Sequence, residues 1–256
     1  MLILLPPSEG KATGGRGRPL DPDRLSFPEL GATRRIVLDA LVQASRRGDA
    51  LEVLGAPKGA AAQVAANVEL RSAPARRVAD LYTGVLYDAL DVASLDAAAR
   101  RRAGKRVVVV SALFGALRFG DRVPPYRLSM DVDLPGIGKL AAAWRGPLDE
   151  GLPAAAGRGL VVDMRSSTYV AAWRPSGGLA ERTVAVHVVR ETDRGRSAVS
   201  HMAKHTRGLV ARYLLEHDID PRTPEDLVDA LRVDHEATID EPRPGRPRRL
   251  EIVEPS

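Results

Sequence analysis

The chain has 256 residues, of which 44% are hydrophobic and 28% charged, with a formal net charge of +5 and no cysteine. This length and composition are typical of a globular protein with a substantial core, and the lack of cysteine excludes disulfides, thiolate metal sites and cysteine nucleophiles. No apolar run approaches the roughly 20 residues of a membrane span, and residues 1–5 are too short for a signal peptide. We therefore expect a cytoplasmic protein without membrane contacts.

The cationic residues are unevenly divided, since 33 of the 38 are Arg and only five are Lys. This bias, together with abundant Ala, is typical of GC-rich coding, so the net charge alone is weak support for a nucleic-acid partner. Where coding favours Arg, the remaining lysines are expected at positions that need a compact, titratable ammonium group. They are Lys11, Lys58, Lys105, Lys139 and Lys204.

The first elements are a short apolar strand and an amphipathic helix. Residues 2–5 predict the strand, and the loop behind it carries Lys11 but lacks the glycine and hydroxyl positions of a P-loop. Taken alone, this lysine is more typical of a solvated loop. Residues 30–50 have helical spacing, with Ile36 predicted on the buried face and Arg34 outside it.

The stretch 105–144 holds the greatest concentration of position-specific residue types in the chain. It opens with an apolar, β-branched run at 107–110, which predicts a buried strand, and the small-residue turn 111–115 follows. In open α/β sheets, ligands usually bind just past the carboxyl end of a strand. This turn is therefore a candidate edge of a binding site.

A second buried strand, predicted at 159–163, also runs into a polar segment. Arg165, Ser166 and Tyr169 are placed there to hydrogen-bond an anion or a sugar. A serine or threonine at such a position is equally suited to capping the next helix. Both interpretations stay open at this point.

The C-terminal third contains a strand at 183–189 and a helix at 201–213. His201, Lys204 and His205 share one face of that helix, because they are three and four residues apart. Two histidines at this spacing can bind a metal, but the lysine between them and the lack of a carboxylate disfavour a cation. We predict no metal, and a basic face that meets phosphate or carboxylate.

The domain prediction follows from the same pass along the chain. Residues 1–240 show no internal repeat and no clear linker, which predicts one domain. Residues 241–256 are rich in Pro, Arg and Glu and are predicted to form a loose polar tail.

Five segments together resemble one family, the bacterial YaaA peroxide-stress proteins. They are LLPPSEGK at 4–11, LYTGVLYDAL at 81–90, VSALFGALRFGDRVPPYRLSM at 110–130, VVDMRSSTY at 161–169 and HMAKHTRGLVARYLLEH at 201–217. The resemblance implies an α/β fold with a central mixed β-sheet flanked by helices and an embedded helix-hairpin-helix element. It further implies a cytoplasmic protein of the oxidative-stress response that helps limit iron-mediated damage and binds DNA without sequence specificity.

The DNA-binding hypothesis points to residues 134–143, which match the hairpin of helix-hairpin-helix proteins. There Gly136 and Gly138 would expose backbone N–H groups at the start of the next helix, where the helix dipole favours a phosphate. Lys139 would add a positive charge, so that the contact reads the DNA backbone and not its sequence. A plain turn between helices, preceded by two aspartates, is the competing interpretation.

A pocket for a small anionic ligand, such as a nucleotide or nucleobase, is the alternative function. Its candidate residues fall in the matched segments: Lys11, Tyr82, Thr83, Tyr126, Arg127, Ser166, Tyr169, Lys204 and Arg207. A desolvated Lys11 or Lys204 would act as a base or nucleophile, and Tyr82 or Tyr126 as a proton donor. No catalytic triad or cofactor fingerprint accompanies them, so we predict no cofactor and leave open whether the protein is an enzyme.

These interpretations differ in the geometry they require. A pocket requires the candidate side chains to converge, whereas DNA binding requires a continuous basic stripe that includes Lys139 and the helix at 201–212. A scaffold protein would scatter the same residues over its surface. The sequence predicts no obligate protein partner.

Overall fold

A computed structural model describes residues 1–14, 17–192, 195–198 and 200–254. Its strands are β1 (Leu2–Leu5), β2 (Arg76–Arg77), β3 (Val107–Ser111), β4 (Gly115–Arg118), β5 (Arg122–Val123), β6 (Asp133–Leu134), β7 (Gly138–Lys139), β8 (Val161–Asp163), β9 (Thr183–Thr192), β10 (Gly195–Ala198), β11 (Glu236–Ile239) and β12 (Arg248–Glu254). Its α-helices are α1 (Gly31–Ser45), α2 (Ala50–Val53), α3 (Ala61–Ala66), α4 (Val78–Leu81), α5 (Val85–Leu90), α6 (Ala97–Arg106), α7 (Leu140–Ala156), α8 (Ser167–Val170), α9 (Gly177–Glu181), α10 (Ser200–Glu216) and α11 (Pro224–Leu231). Among these described helices, none combines the length and the apolarity that crossing a membrane demands.

The central element is a mixed β-sheet whose strands follow the order β11-β12-β9-β8-β1-β3-β4, with β10 pairing β9 in addition. Strand β1 runs parallel to β3 on one side and to β8 on the other, so that Ile3 lies opposite both Val107 and Val162. The parallel arrangement continues from β8 to β9 and β12, while β4 and β11 are antiparallel edge strands. The predicted mixed sheet flanked by helices is confirmed.

The connections of this sheet create a switch point beside β1. The chain leaves β1 for β3 on one side, whereas it leaves β8 for β9 on the other side. The carboxyl ends of β1 and β8 therefore flank the crevice in which open α/β sheets usually bind ligands. The loop after β1 and the loop after β8 form the two walls of this crevice.

The apolar composition of strands β1 and β3 explains their position inside the sheet. All their residues are buried, as expected for parallel strands that are covered on both faces and therefore read as unbroken apolar runs. The strands predicted from such runs at 2–5 and 107–110 are confirmed. Only Ser111, the last residue of β3, brings a polar group to the carboxyl edge.

Helix α1 forms where predicted, but its buried face was wrongly placed at two positions. Arg34, predicted outside, is only 2% exposed, and Ile36, predicted inside, is 58% exposed. The Arg34 guanidinium donates hydrogen bonds to the carbonyl oxygens of Phe114 at 2.9 Å and Ala116 at 2.7 Å. Phe114 lies in the tight connection between β3 and β4 and Ala116 lies in β4, and buried backbone acceptors require a donor.

The predicted helix-hairpin-helix element is not confirmed. Residues 133–139 instead form an antiparallel β-hairpin of β6 and β7, and α7 begins directly after it. Between β5 and β6 the described chain contains no helix. Pro124 and Pro125 disfavour helix at residues 123 and 124, at the start of this segment.

The C-terminal segment also differs from the prediction of a loose tail. Residues 248–254 form β12, which pairs along its whole length with β9. Leu250 and Ile252 are fully buried, and the guanidinium of the buried Arg248 donates to the Asp240 carbonyl at 2.6 Å. These residues therefore belong to the sheet, although their polar composition suggested a loose tail.

Candidate functional site

The loop that follows β1 is fixed by the segment that precedes α5. Lys11 and Tyr82 form an isolated antiparallel bridge, and the Ala12 N–H donates to the Leu81 carbonyl at 2.8 Å. Two candidate residues from distant parts of the sequence are thus neighbours through backbone pairing.

Tyr82 and Tyr126 form a buried aromatic wall beneath the ammonium group of Lys11. Their hydroxyls are 3.1 Å apart, and the Tyr126 hydroxyl lies 2.7 Å from Ser111 Oγ at the end of β3. Lys11 Nζ lies 4.2 Å from the Tyr126 ring centroid and 5.4 Å from that of Tyr82. Burial raises the pKa of both tyrosines, so their hydroxyls stay protonated at neutral pH.

The surroundings of Lys11 disfavour its positive charge. Burial is the main cause that lowers its pKa to about 7, and the positive charge of Arg127 lowers it further, while Glu9 opposes the shift. Nζ still donates a hydrogen bond to the Ser8 carbonyl at 2.8 Å. Near neutral pH, about half of the Lys11 amines are therefore uncharged.

Arg127 is held by Asn67, a residue that the sequence did not single out. The fully buried Asn67 side chain donates to the Arg127 carbonyl and accepts from the Arg127 N–H, both at 2.9 Å. The Arg127 guanidinium pairs with the exposed carboxylate of Glu9 at 3.0 Å. Its backbone is therefore fixed, while its charge faces the loop after β1.

The loop after β8 is organised by a buried ion pair. Arg165, predicted to meet an anion, instead binds Asp163 through two hydrogen bonds of 2.9 and 2.7 Å. Its guanidinium also donates to the carbonyls of Tyr169 at 3.1 Å and Trp173 at 3.0 Å. These bonds occupy the Arg165 guanidinium, and they fix the turn that carries Ser166 and Tyr169. Ser166 stands at the start of α8 but makes no side-chain capping hydrogen bond.

Helix α10 presents Lys204 and Arg207 because it packs closely against α5. A Cβ atom at Gly208 would lie 2.2 Å from the Leu86 carbonyl oxygen, so only glycine permits this approach. Arg207 donates from Nη2 to the Val186 carbonyl at 2.9 Å, and its Nε is buried without a hydrogen-bond partner. Lys204, almost one turn earlier, is exposed.

These elements enclose a cavity of about 500 Å³ at the switch point between β1 and β8. Seven of the nine candidate residues line it: Lys11, Thr83, Arg127, Ser166, Tyr169, Lys204 and Arg207. Tyr82 and Tyr126 lie behind Lys11 and complete its surroundings. Residues from five separate segments thus converge.

The charge of the cavity lining is predominantly positive. Three cationic side chains and the partly charged Lys11 face two carboxylates, Glu9 and Asp131, and Glu9 is already paired with Arg127. A second cavity of about 1110 Å³ adjoins the first, since both are lined by Ser166, Lys204 and Arg207. It adds four further arginines: Arg165, which is paired with Asp163, and Arg174, Arg243 and Arg246.

The hairpin residues lie elsewhere, since Gly136, Gly138 and Lys139 are not among those that line the cavity. Both glycines have a positive φ, of 80° and 85°, which favours glycine at these positions. Lys139 is exposed and stands opposite Asp133 in the hairpin register. The hairpin is therefore a separate surface feature.

The histidines provide no metal site in the described part of the chain. There, no group of three or more His, Asp or Glu side chains is arranged to hold a metal ion. His187 is exposed on β9, and His205 is exposed on α10. The side chain of His201 lies outside the described residues, so its predicted shared face with His205 is not described.

Asn67 and Asp163 are the positioning residues that sequence reasoning missed. Asn67 follows an Ala-rich helical segment and carries no local sign of its distant partner. Asp163 offered a signal, because a carboxylate at the end of a buried strand, two residues before an arginine, requires a charged partner.

The fold and the site define an α/β protein with a basic cavity at the switch point of its sheet. A family model described as "Peroxide stress protein YaaA" matches residues 1–236. The chain belongs to this family of peroxide stress proteins, which confirms the resemblance drawn from its motifs.

Relatives named UPF0246 proteins extend this finding. The one from Streptomyces coelicolor is 51% identical over 257 residues, covering 99% of this chain and 98% of the relative. The one from Corynebacterium efficiens is 39% identical over 236 residues, covering 91% and 92%. A relative from Cereibacter sphaeroides is 34% identical over 164 residues, covering 62% of each chain.

Proposed function

We propose that the cavity between β1 and β8 binds a small anionic ligand of nucleotide size. The observation that carries this proposal is the convergence of Lys11, Arg127, Lys204 and Arg207, from three distant segments, on one cavity. Its volume falls within the range of roughly 300–1,000 Å³ that is usual for small-molecule sites.

The arrangement favours an anion for electrostatic reasons. Arg207 is part-buried, and its Nε lacks a hydrogen-bond partner, which an anionic oxygen would supply. Ser166 and Thr83 add hydroxyl groups at the walls. Tyr169 adds an aromatic ring on which a nucleobase can stack.

A thermal-shift screen with AMP, CMP, GMP, UMP and inorganic phosphate tests the proposal. A ligand at about 100 times its Kd stabilises the folded state by about 2.7 kcal/mol, which raises Tm by roughly 5–10 °C. Lys204→Ala should lose most of this shift, whereas Lys139→Ala, which removes an equally exposed lysine outside the cavity, should keep it. No shift with any of these compounds, or equal losses in both variants, contradicts the proposal.

DNA binding through the hairpin is a second proposal, which one observation favours. The hairpin tip is exposed and carries Gly136, Gly138 and Lys139 directly before the first turn of α7. A phosphate there would meet a positive charge near a helix N-terminus. The carboxylate of Asp133 beside it weakens the attraction, and the neighbouring first helix of the expected motif does not form.

The same pair of lysine variants separates the two proposals. In fluorescence-anisotropy titrations with duplex DNA, Lys139→Ala should reduce the slope of log affinity against log salt by about 0.9, the value for one phosphate contact. Lys204→Ala should leave that slope unchanged. An unchanged slope for Lys139→Ala removes the hairpin from the DNA interface.

The physiological part of the proposal is a role in the cytoplasmic peroxide response, limiting iron-mediated damage. Membership of the peroxide stress family supports this context. Cells that lack the protein should be more sensitive to hydrogen peroxide, and re-expression of the wild type should restore resistance. If Lys204→Ala restores it equally well, the cavity has no part in the response.

A further inference from the structure

The five lysines of this chain fall into two classes. Lys58, Lys105, Lys139 and Lys204 are exposed, whereas Lys11 alone is part-buried. Lys11 belongs to the loop after β1, which pairs with the segment before α5. Its amine lies against two tyrosine rings and at the edge of the cavity. An amine in such a setting is shielded from bulk water while it remains open to a ligand.

The surroundings of Lys11 provide what an amine nucleophile needs. The Arg127 guanidinium supplies a second cation nearby, and the aromatic wall behind Lys11 excludes water from one side. The second cation and the loss of water favour the neutral amine, as in enzymes that form Schiff bases, and they outweigh the attraction of the ammonium form to the tyrosine rings and to Glu9. The pKa of about 7 agrees with this geometry, since it makes the fraction of free amine roughly a thousandfold higher than for an ordinary lysine at neutral pH.

We propose that Lys11 is a nucleophile that forms a Schiff base with an aldehyde or ketone bearing a phosphate or carboxylate group. This rests on the anionic ligand proposed above, because Lys204 and Arg207 would hold the anionic group while the carbonyl meets Lys11. The natural ligand would then carry a carbonyl group as well, and AMP or phosphate represents only its anionic part.

The step balances without any redox partner. The neutral Nζ attacks the carbonyl carbon, which forms a C–N bond while the C=O π electrons move to oxygen. That oxygen takes up the two protons that nitrogen gives up and leaves as water. The product is an imine between Lys11 and the ligand carbon, and nothing is oxidised or reduced.

The test uses pyridoxal 5′-phosphate as a probe, since it carries an aldehyde and a phosphate and its aldimine is coloured. The full chain is mixed with the probe at neutral pH, reduced with borohydride and mapped by peptide mass spectrometry. We expect one pyridoxyl group per chain, at Lys11, with labelling at least about tenfold above that of each exposed lysine. Lys11→Met and Lys11→Arg should both abolish the aldimine absorbance.

A second probe separates this inference from the proposed function. Pyridoxine 5′-phosphate carries an alcohol in place of the aldehyde, so it can occupy the anion site but cannot form an imine. If it raises Tm while Lys11 stays unlabelled by the aldehyde, the nucleophile is overturned and the anion site stands. If it does not bind, the anion site is contradicted, whatever the labelling of Lys11.

The remaining outcomes also decide the question. Equal labelling of all five lysines overturns the special role of Lys11, as does labelling that persists in Lys11→Met. Thermal melts show whether each variant is folded, and Lys11→Arg serves if Lys11→Met does not fold, because it keeps the positive charge and removes the nucleophilic amine.

Discussion

Replacing Lys11 by Met should flatten the dependence of stability on pH. Lys11 has a pKa of about 7 in the folded protein, whereas an unfolded chain holds lysine near 10.4. Between these two values the unfolded state binds a proton that the folded state lacks. The free energy of unfolding therefore rises with pH across this window. Below the folded-state pKa both states are protonated, so Lys11 adds no pH dependence there.

The magnitude follows from the linkage relation. Where the folded lysine is neutral and the unfolded one is charged, the free energy of unfolding rises by about 1.4 kcal/mol per pH unit. Integrated from about pH 7 to about pH 9, and allowing for the half-titrated start, the gain is roughly 2 kcal/mol. Methionine has no proton to lose, so the variant should lack this gain.

The other charged or titratable groups around Lys11 are common to the wild type and Lys11→Met, so the difference between the two pH profiles isolates Lys11. These groups are Glu9, Tyr82, Tyr126, Arg127, Asp131, Tyr169, Lys204 and Arg207. Urea unfolding followed through the fluorescence of the buried Trp144 and Trp173 provides the free energies. Identical pH profiles for wild type and Lys11→Met would refute the reasoning.

Further predictions concern the elements that support the cavity. Asp163→Ala should destabilise the protein by about 3–5 kcal/mol, because it leaves the buried Arg165 charge unpaired, whereas combining Asp163→Leu with Arg165→Met should cost less. A loss below about 1 kcal/mol in urea unfolding would contradict this. Gly208→Ala should cost about 1–3 kcal/mol by forcing α10 away from α5 and should weaken ligand binding. Gly104→Ala, in open space on α6, should be neutral or stabilising by up to about 1 kcal/mol, and equal losses in both variants would contradict the packing argument.

The strands of the sheet centre could be predicted because their signal is local. Residues 2–5 and 107–110 are unbroken apolar runs, and both strands form as expected. Strand β12 escaped prediction because four of its seven residues are charged and prolines precede it, which together suggest a tail. The wrongly predicted burial of Arg34 and Ile36 shows a further limit, since carbonyls distant in sequence, those of Phe114 and Ala116 among them, explain why a helix buries an arginine.

The candidate site was accessible from sequence as a set of residue types, but its geometry was not. Strand ends and matched motifs singled out Lys11, Ser166 and Lys204, which do line one cavity. The role of Asn67 could not be predicted because its partner, Arg127, is brought to it by tertiary contacts. The role of Asp163 depends on the shape of the turn that brings Arg165 back to it, and the sequence leaves that shape open. Residues 134–143 matched a motif by the spacing of their glycines and by Lys139, but the first helix of that motif does not form.

The most direct test of the central claim is a crystal structure of the protein grown with AMP. The account predicts the phosphate within hydrogen-bond distance of Arg207 and Lys204, in the cavity between the ends of β1 and β8. Density for AMP only at the hairpin or on another surface, or no density at a concentration above about 1 mM, would contradict it.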